Sequence, residues 1–290
     1  MKGRRVVWAD AFTDKAFGGN PCAVVFDAAD VSVETRLAFT QETRLSECAF
    51  LVGSDVADFG ARYYLASREI LMAGHPTVAT CMALELAGLL EGRDEITLEV
   101  GAGVMPVTID RSGSAPVFTM TQPAPRFGDY HAPEVIAPLV NLAAEDIVGR
   151  PRSAATGNMF CVTELKDHAT LARARLDFEA MRSAQERLDF WEPFLFVREG
   201  FTAVGDTGAR LLLLPPEPAE DPFTGSATGS LAAYLWSEGL IESPRFTAEQ
   251  GHGMGRPGSA TVEVLGQRDA IEGVRVGGAA AVVMDGQVFL

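Results

Sequence analysis

The chain has 290 residues, of which 47% are hydrophobic and 22% are charged. This composition is typical of a folded globular protein and excludes disordered, collagen-like and coiled-coil chains. Lys and Arg number 24 against 39 Asp and Glu, so the formal net charge is -15. Such a field repels nucleic acid and anionic membrane surfaces. An anionic substrate must therefore be bound by local donors.

Three residue patterns bear on where the protein is located and on whether it binds a metal. The four cysteines show no CxxC spacing, and no apolar signal segment follows the first five residues, so we expect the reducing cytoplasm. The longest aliphatic run, residues 211–214, is far shorter than the ~20 residues of a spanning helix, and no membrane segment is expected. No pair of the four histidines has metal-site spacing, so no metal is expected.

Strands are predicted in the first part of the chain, where β-branched and aromatic residues are concentrated. They lie at residues 5–8, 22–26, 48–52 and 62–65.

Two helices are predicted to be buried on every side. Residues 78–90 and residues 230–240 each contain a single charged residue, and a helix without a polar face is surrounded by other elements. Gly88 and Gly239 are placed where a left-handed cap would end each helix. We therefore expect strands to wrap around a central helix in each case.

Between these helices the sequence predicts a connector and two further helical segments. Residues 121–126 contain two prolines and are typical of a connector. A helix-like stretch follows at residues 133–148, and a charged stretch over residues 173–186 indicates a solvated helix to which we assign no function.

An internal repeat organises these elements. Residues 74–89 match residues 225–240, and residues 97–103 match residues 247–253 at a nearly identical offset. A weaker match relates the segment that begins at Gly19-Asn20 to the one that begins at Gly157-Asn158. Because the order of elements is duplicated, we interpret the chain as two similar halves. The predicted boundaries are 1–120, with the last strand at 280–290 as a candidate addition, and 121–279.

The starts of the two apolar helices are candidate anion sites. Gly74 and Gly225 open the two helices. The first turn of a helix has N–H groups without intrahelical partners and the positive end of the helix dipole, and this arrangement favours a carboxylate or a phosphate.

Three titratable residues, one before a predicted strand and two at or just before the apolar helices, allow both a functional and a structural interpretation. Glu47 precedes an apolar run, so it is either a partly desolvated proton-transfer group or a solvated glutamate at a strand end. His75, at a helix start, is either a neutral ring that contacts a ligand or a capping histidine. Asp221 is either a ligand contact or part of an Asx-type turn.

Five ordered motifs carry a resemblance to a known family. They are residues 10–21, 45–50, 74–77, 221–229 and 249–257. Together they resemble the PhzF phenazine-biosynthesis family over nearly the whole chain. The resemblance implies the diaminopimelate-epimerase-like α/β (α+β) fold, in which two pseudo-symmetric halves each curl a mostly antiparallel sheet around a central buried helix. It also implies an active site in the cleft between the halves, and similar proteins are commonly homodimers.

The resemblance also implies a chemistry. The family's best-understood reaction is the cofactor-free isomerisation of trans-2,3-dihydro-3-hydroxyanthranilate, in which a glutamate moves a proton between carbons. Glu47 matches that glutamate, and His75 and Asp221 match residues that contact the amino or hydroxyl groups and share protons. The positions expected to bind the substrate lie in the same motifs and are Asn20, Ser46, Gly74, Gly225 and Ser226.

The sequence departs from related proteins at three positions. Ala73 and Thr224 stand where related epimerases and racemases have catalytic cysteines, which disfavours a two-thiol racemase. Arg44 stands where family members often have asparagine.

From these observations we expect a cytoplasmic, cofactor-independent isomerase that acts on a small carboxylated molecule bearing an amino or hydroxyl group. The alternatives are an epimerase or racemase of a small amino or hydroxy acid that uses Glu47 and another group, and a small-anion binding protein without turnover.

Overall fold

The structure is a computed structural model that describes residues 2–290. The chain divides into two compact units, Met1–Thr121 with Gly277–Leu290 and Gln122–Val276. Over the described residues the helices are α1 Val33–Thr43, α2 Gly74–Leu86, α3 Pro133–Ile136, α4 His168–Arg173, α5 Phe178–Gln185 and α6 Gly225–Ser237. The strands are β1 Gly3–Ala11, β2 Asn20–Val25, β3 Glu47–Val52, β4 Phe59–Leu65, β5 Glu69–Ile70, β6 Glu95–Val100, β7 Gly103–Asp110, β8 Val117–Pro123, β9 Arg126–Tyr130, β10 Ile147–Ala155, β11 Phe160–Leu165, β12 Pro193–Val197, β13 Thr207–Leu212, β14 Glu220–Asp221, β15 Arg245–Gln250, β16 Gly258–Gln267 and β17 Ala270–Phe289.

The first unit is a mixed, mostly antiparallel sheet around α2. Strands β1 and β2 pair antiparallel, β2 and β3 parallel, and β3 and β4 antiparallel. Strand β4 then pairs parallel with β6, and β6, β7 and β8 form an antiparallel series. Helix α2 packs against β1, β2 and β3 and is buried along most of its length. The C-terminal part of β17 pairs with β1.

The second unit repeats this order around α6. Strands β10 and β11 pair antiparallel, β11 and β12 parallel, and β12 and β13 antiparallel. Strand β13 pairs parallel with β15, which pairs antiparallel with β16. Helix α6 packs against β10, β11 and β16 and is buried from Gly225 to Leu235. The predicted duplication, with a buried helix at the centre of each half, is therefore confirmed.

Each unit contains an equivalent hydrogen bond that holds a loop to the neighbouring strand. In the first unit the Asp58 carboxylate accepts a hydrogen bond from the Thr97 backbone N–H at 2.8 Å. In the second unit the Asp206 carboxylate accepts from the Thr247 N–H at 2.7 Å. Thr97 and Thr247 are aligned by the sequence repeat, so the duplication extends to individual hydrogen bonds.

The predicted left-handed helix ends are confirmed. Gly88 has a φ of +72° and Gly239 a φ of +69°, a conformation that is accessible to glycine at little cost. Beyond Gly88, the Leu89 N–H donates to the Leu84 carbonyl at 3.0 Å, which satisfies one of the terminal carbonyls of α2.

The prediction of one helix over residues 133–148 is wrong in its extent. Helix α3 is a single turn that continues as a short 3-10 segment, and strand β10 begins at Ile147. Pro138 lacks the N–H that a continuing helix requires, and Asn141 has a left-handed φ of 53°. Among the described residues, no helix is both long enough and apolar enough to cross a bilayer.

The packing of α6 predicts the effect of a side chain at Gly229. A Cβ there would lie 2.0 Å from Gln122 Oε1 and 2.6 Å from Thr156 Oγ1. Alanine in a helix is normally favoured over glycine by about 1 kcal/mol, whereas overpacking a core costs about 1–3 kcal/mol. Since both neighbours are buried, we expect the cost to exceed the gain, so that Gly229→Ala lowers the free energy of unfolding by about 1 kcal/mol in urea titrations.

Gly253→Ala is the matched control, because Gly253 is exposed and a Cβ there would meet nothing within 4 Å. Equal stability of the two variants would contradict this account of the packing.

Candidate active site

Glu47 is the first residue of β3. The parallel pairing with β2 places it beside Cys22, and the antiparallel pairing with β4 places it opposite Leu65. The Glu47 side chain is 18% exposed, while Cys48 and the next residues of β3 are buried. The carboxyl group therefore lies at the boundary between solvent and the interior of the first unit.

His75 is the second residue of α2 and is 3% exposed. Burial lowers the pKa of its imidazole to about 3, so the ring is neutral at pH 7. Nδ1 lies 3.0 Å from Asn20 Nδ2 and 3.8 Å from Glu47 Oε2. The second distance is longer than a hydrogen bond, and the ring carries no charge, so this contact with Glu47 is not an ion pair.

Asn20 and Ser46 complete the group in the first unit. Asn20 begins β2 and is fully buried, and the Ser46 hydroxyl donates to Asn20 Oδ1 at 3.4 Å. Gly19 makes this placement possible, because it has a φ of +47° and a Cβ there would lie 2.0 Å from the Ala11 carbonyl oxygen. The structure thus brings together Asn20, Ser46, Glu47 and His75.

The first turn of α2 has no side-chain cap. Ala73 is the N-cap residue and offers no acceptor, while Gly74 is buried and carries no side chain. The N–H groups of this turn and the positive end of the helix dipole are therefore available to an anion.

In the second unit Asp221 and Thr224 lie in a turn before α6 that is held by hydrogen bonds. Asp221 is buried, and the Thr224 hydroxyl donates to Asp221 Oδ2 at 2.5 Å. Gln250 accepts from the Thr224 N–H at 3.1 Å and donates to the Asp221 carbonyl at 2.8 Å. Sequence reasoning gave Gln250 no role, although it lies in the motif at residues 249–257.

The first turn of α6 is held by two further residues that sequence reasoning missed. Gln122 Nε2 donates to the Gly225 carbonyl at 2.9 Å, and the Thr156 hydroxyl donates to the Ser226 carbonyl at 3.2 Å and to Gln122 Oε1 at 2.5 Å. No motif contains Gln122 or Thr156, so only the folded chain reveals them. Ser226 is buried, and the Thr224 side chain does not cap the helix.

The four cysteines are all buried, so they pack as small apolar residues. Burial raises the pKa of Cys48 to about 11 and that of Cys81 and Cys161 to about 12, and it also raises the pKa of Cys22. The thiolate form is thus scarce at neutral pH, so these thiols are poor nucleophiles and poor proton acceptors.

Arg44 ends α1 in a left-handed conformation with a φ of 59°. Asparagine adopts this conformation more readily than most residues, which gives the family's preference at this position a backbone explanation. Arg44 is exposed, so its charge is hydrated at the surface of the first unit.

Solved structures identify the class of fold. The chain matches a phenazine biosynthesis protein of the PhzF family from Bacillus anthracis with a TM-score of 0.91, at 27% identity and over 100% of both chains. It also matches a hydroxyproline epimerase from Agrobacterium vitis with a TM-score of 0.69, at 14% identity over 99% of this chain and 92% of that one, a likeness that shows the fold alone. These matches confirm the predicted epimerase-like fold.

The family follows from the sequence. A family model described as "Phenazine biosynthesis-like protein" matches residues 9–286, so the chain belongs to the PhzC-PhzF family. The trans-2,3-dihydro-3-hydroxyanthranilate isomerase of Pseudomonas aeruginosa is 28% identical over 99% of both chains. An uncharacterized isomerase of Bacillus subtilis is 27% identical over 91% of this chain and 92% of its own length. The predicted isomerase class is confirmed.

The buried His75 predicts a pH dependence of stability. The folded pKa of about 3 lies below the ordinary value of 6.5, so between these values the unfolded chain binds a proton that the native chain does not. His75 therefore makes native stability decrease as pH falls from 6.5 toward 3, by at most about 1.4 kcal/mol per pH unit.

Urea titrations at several pH values measure this effect. We expect the free energy of unfolding to fall less steeply with pH for His75→Gln than for the native protein, because glutamine does not titrate. Some decrease remains in both proteins, since the carboxyl groups contribute to both. The same pH dependence in the two proteins would show that the native ring titrates normally.

Proposed function

We propose that the chain catalyses a cofactor-independent proton shift between two carbons of a small carboxylate that also bears an amino or hydroxyl group. Glu47 is the acid/base. The observation that carries the proposal is a carboxyl group at the edge of the interior, 3.8 Å from a buried neutral imidazole at the open start of α2. The named activity of the Pseudomonas aeruginosa relative supports this class of substrate.

The position of Glu47 suits repeated proton transfer. A carboxyl group that is partly shielded from water can exchange protons near neutral pH more effectively than a fully hydrated one. The Glu47 side chain is 18% exposed, so its proton still exchanges with solvent. The neutral His75 adds no positive charge that would hold Glu47 in its ionised form.

The proposed reaction balances without an external reagent. The Glu47 carboxylate removes a proton from one carbon, and the electron pair of the broken C–H bond enters the conjugated system of the substrate. The Glu47 carboxylic acid then returns a proton to another carbon, and the double bond has moved. Solvent deuterium that enters Glu47 between these steps appears in the product.

Binding of the carboxylate is assigned to helix starts. The net charge of -15 opposes an anion at long range, whereas backbone N–H groups at a helix start attract it locally. Gly225 and Ser226 supply these groups in the second unit, and Asp221 is the proposed contact for an amino or hydroxyl group. The homodimer and the cytoplasmic location stay predictions.

Deuterium exchange tests the role of Glu47. A panel of small carboxylates, including trans-2,3-dihydro-3-hydroxyanthranilate, is incubated with the protein in D₂O, and carbon-bound deuterium is measured by NMR. We expect incorporation with the native protein and none with Glu47→Gln, which keeps the size of the side chain but removes its acid/base function.

Glu91→Gln is the control, because Glu91 is exposed and lies outside the site. Undiminished exchange in Glu47→Gln would overturn the assignment. Thermal stabilisation of the native protein by a carboxylate, without exchange at any carbon, would favour the binding-protein alternative.

The buried thiols give a second test, directed at a two-thiol racemase mechanism. A two-thiol mechanism requires reactive cysteines, whereas Ala73 and Thr224 occupy the two helix starts. We expect iodoacetamide at about pH 8 to leave the mass and the activity of the native protein unchanged, because only a very small fraction of the thiols is ionised. Alkylation in urea is the positive control, and rapid inactivation of the native protein would reopen a thiol mechanism.

A further inference from the structure

The contact between Asn20 and His75 defines where the imidazole carries its proton. The amide nitrogen of asparagine can only donate, and Asn20 Nδ2 lies 3.0 Å from His75 Nδ1. A ring nitrogen that accepts a hydrogen bond has a lone pair rather than a proton. In a neutral imidazole the proton must then be on Nε2.

Ser46 supports this orientation of the Asn20 amide. The Ser46 hydroxyl lies 3.4 Å from Asn20 Oδ1, where it donates to the oxygen while the amide nitrogen faces His75. Glu47 Oε2 is 3.8 Å from His75 Nδ1, beyond hydrogen-bond distance. Among the described residues, Asn20 is thus the neighbour that determines the state of Nδ1.

The other ring nitrogen lacks a partner. His75 Nε2 is buried, and no hydrogen-bond acceptor within the described residues satisfies it. Burying a donor without an acceptor is costly, so such donors are rare in folded proteins. A ligand oxygen would satisfy Nε2.

We infer that Asn20 is a positioning residue, which holds the His75 proton on Nε2 so that the neutral ring donates a hydrogen bond to an oxygen of the substrate. This inference rests on the proposed function and specifies the substrate further. The group that faces His75 is an acceptor, such as a carboxylate, carbonyl or hydroxyl oxygen. An ammonium group is excluded there, because two donors would face each other.

This arrangement divides the chemistry between two residues. The side of His75 nearest to Glu47 carries a lone pair, so His75 has no proton to share with Glu47 through Nδ1. Proton transfer is then the task of Glu47. When a proton leaves carbon, negative charge develops on an oxygen conjugated with it, and the Nε2–H bond to that oxygen becomes stronger. A neutral imidazole can do this without giving up its proton.

Nitrogen NMR of the native protein tests the tautomer without any substrate. With ¹⁵N-labelled histidine, we expect a pyridine-type shift for His75 Nδ1 and a pyrrole-type shift for Nε2 at neutral pH. The signals that disappear in His75→Gln identify the ring among the four histidines. A proton on Nδ1, or a rapid mixture of the two tautomers, would overturn the inference.

Asn20→Asp tests the function of this contact, since it replaces the NH₂ donor by an oxygen of similar size. We expect the His75 proton to move to Nδ1, and both kcat and kcat/KM for deuterium exchange to fall about 10²-fold or more, as for other donors that act in the transition state. Asn158→Asp is the matched control, because Asn158 is the repeat-related asparagine and is exposed. It should change neither the tautomer nor the rate.

The two proposals fail in different ways. A switched tautomer with an unchanged exchange rate in Asn20→Asp would overturn the role of Asn20 and leave Glu47 as the acid/base. Exchange that survives in Glu47→Gln would overturn the proposed function, whatever tautomer His75 has. If Asn20→Asp does not fold, the spectrum of the native protein still decides where the proton lies.

Discussion

The structure depends on the burial of two apolar helices. Each has sheet strands around it, so the first turn of the helix is removed from water together with the rest. The N–H groups of that turn lose their hydration. Ala73 offers them no side-chain acceptor, and the Thr224 hydroxyl is bonded to Asp221 instead of capping its helix. The constraint that stabilises each core therefore also shapes the helix start that we propose as a position for an anionic ligand.

The same burial sets the state of His75. Inside the first unit the charged form of the imidazole is too costly, so the ring is neutral and has one donor and one acceptor. Asn20 then determines which of the two ring nitrogens carries the proton. Asn20, which the sequence motifs predict to contact the substrate, thus acts on the chemistry through His75. Because Asn20 is fully buried, its amide is held in place beside the ring.

The sequence predicted features that depend on local chemistry. The repeat, the apolar helices and the glycine caps at Gly88 and Gly239 all follow from residue types at short range. Contacts that depend on how the strands pair could not be predicted from the sequence. The contact of Asn20 with His75 needs the β1–β2 turn at Gly19, and the bracing by Gln250 joins residues far apart in the chain. The helix predicted over 133–148 is too long, because Pro138 lacks the N–H of a continuing helix and Asn141 adopts a left-handed conformation.

The shared bonds between Asp58 and Thr97 and between Asp206 and Thr247 have a consequence for how the chain can evolve. Each half has its own loop-to-strand bond, so replacing one of the two aspartates removes the bond from one half and leaves the equivalent bond of the other half in place. At the helix starts the two copies keep the glycine, Gly74 or Gly225, but differ at the next residue, which is His75 in one and Ser226 in the other. The same architecture thus carries different side chains at its two helix starts, which lets one fold present two different sets of groups to a ligand.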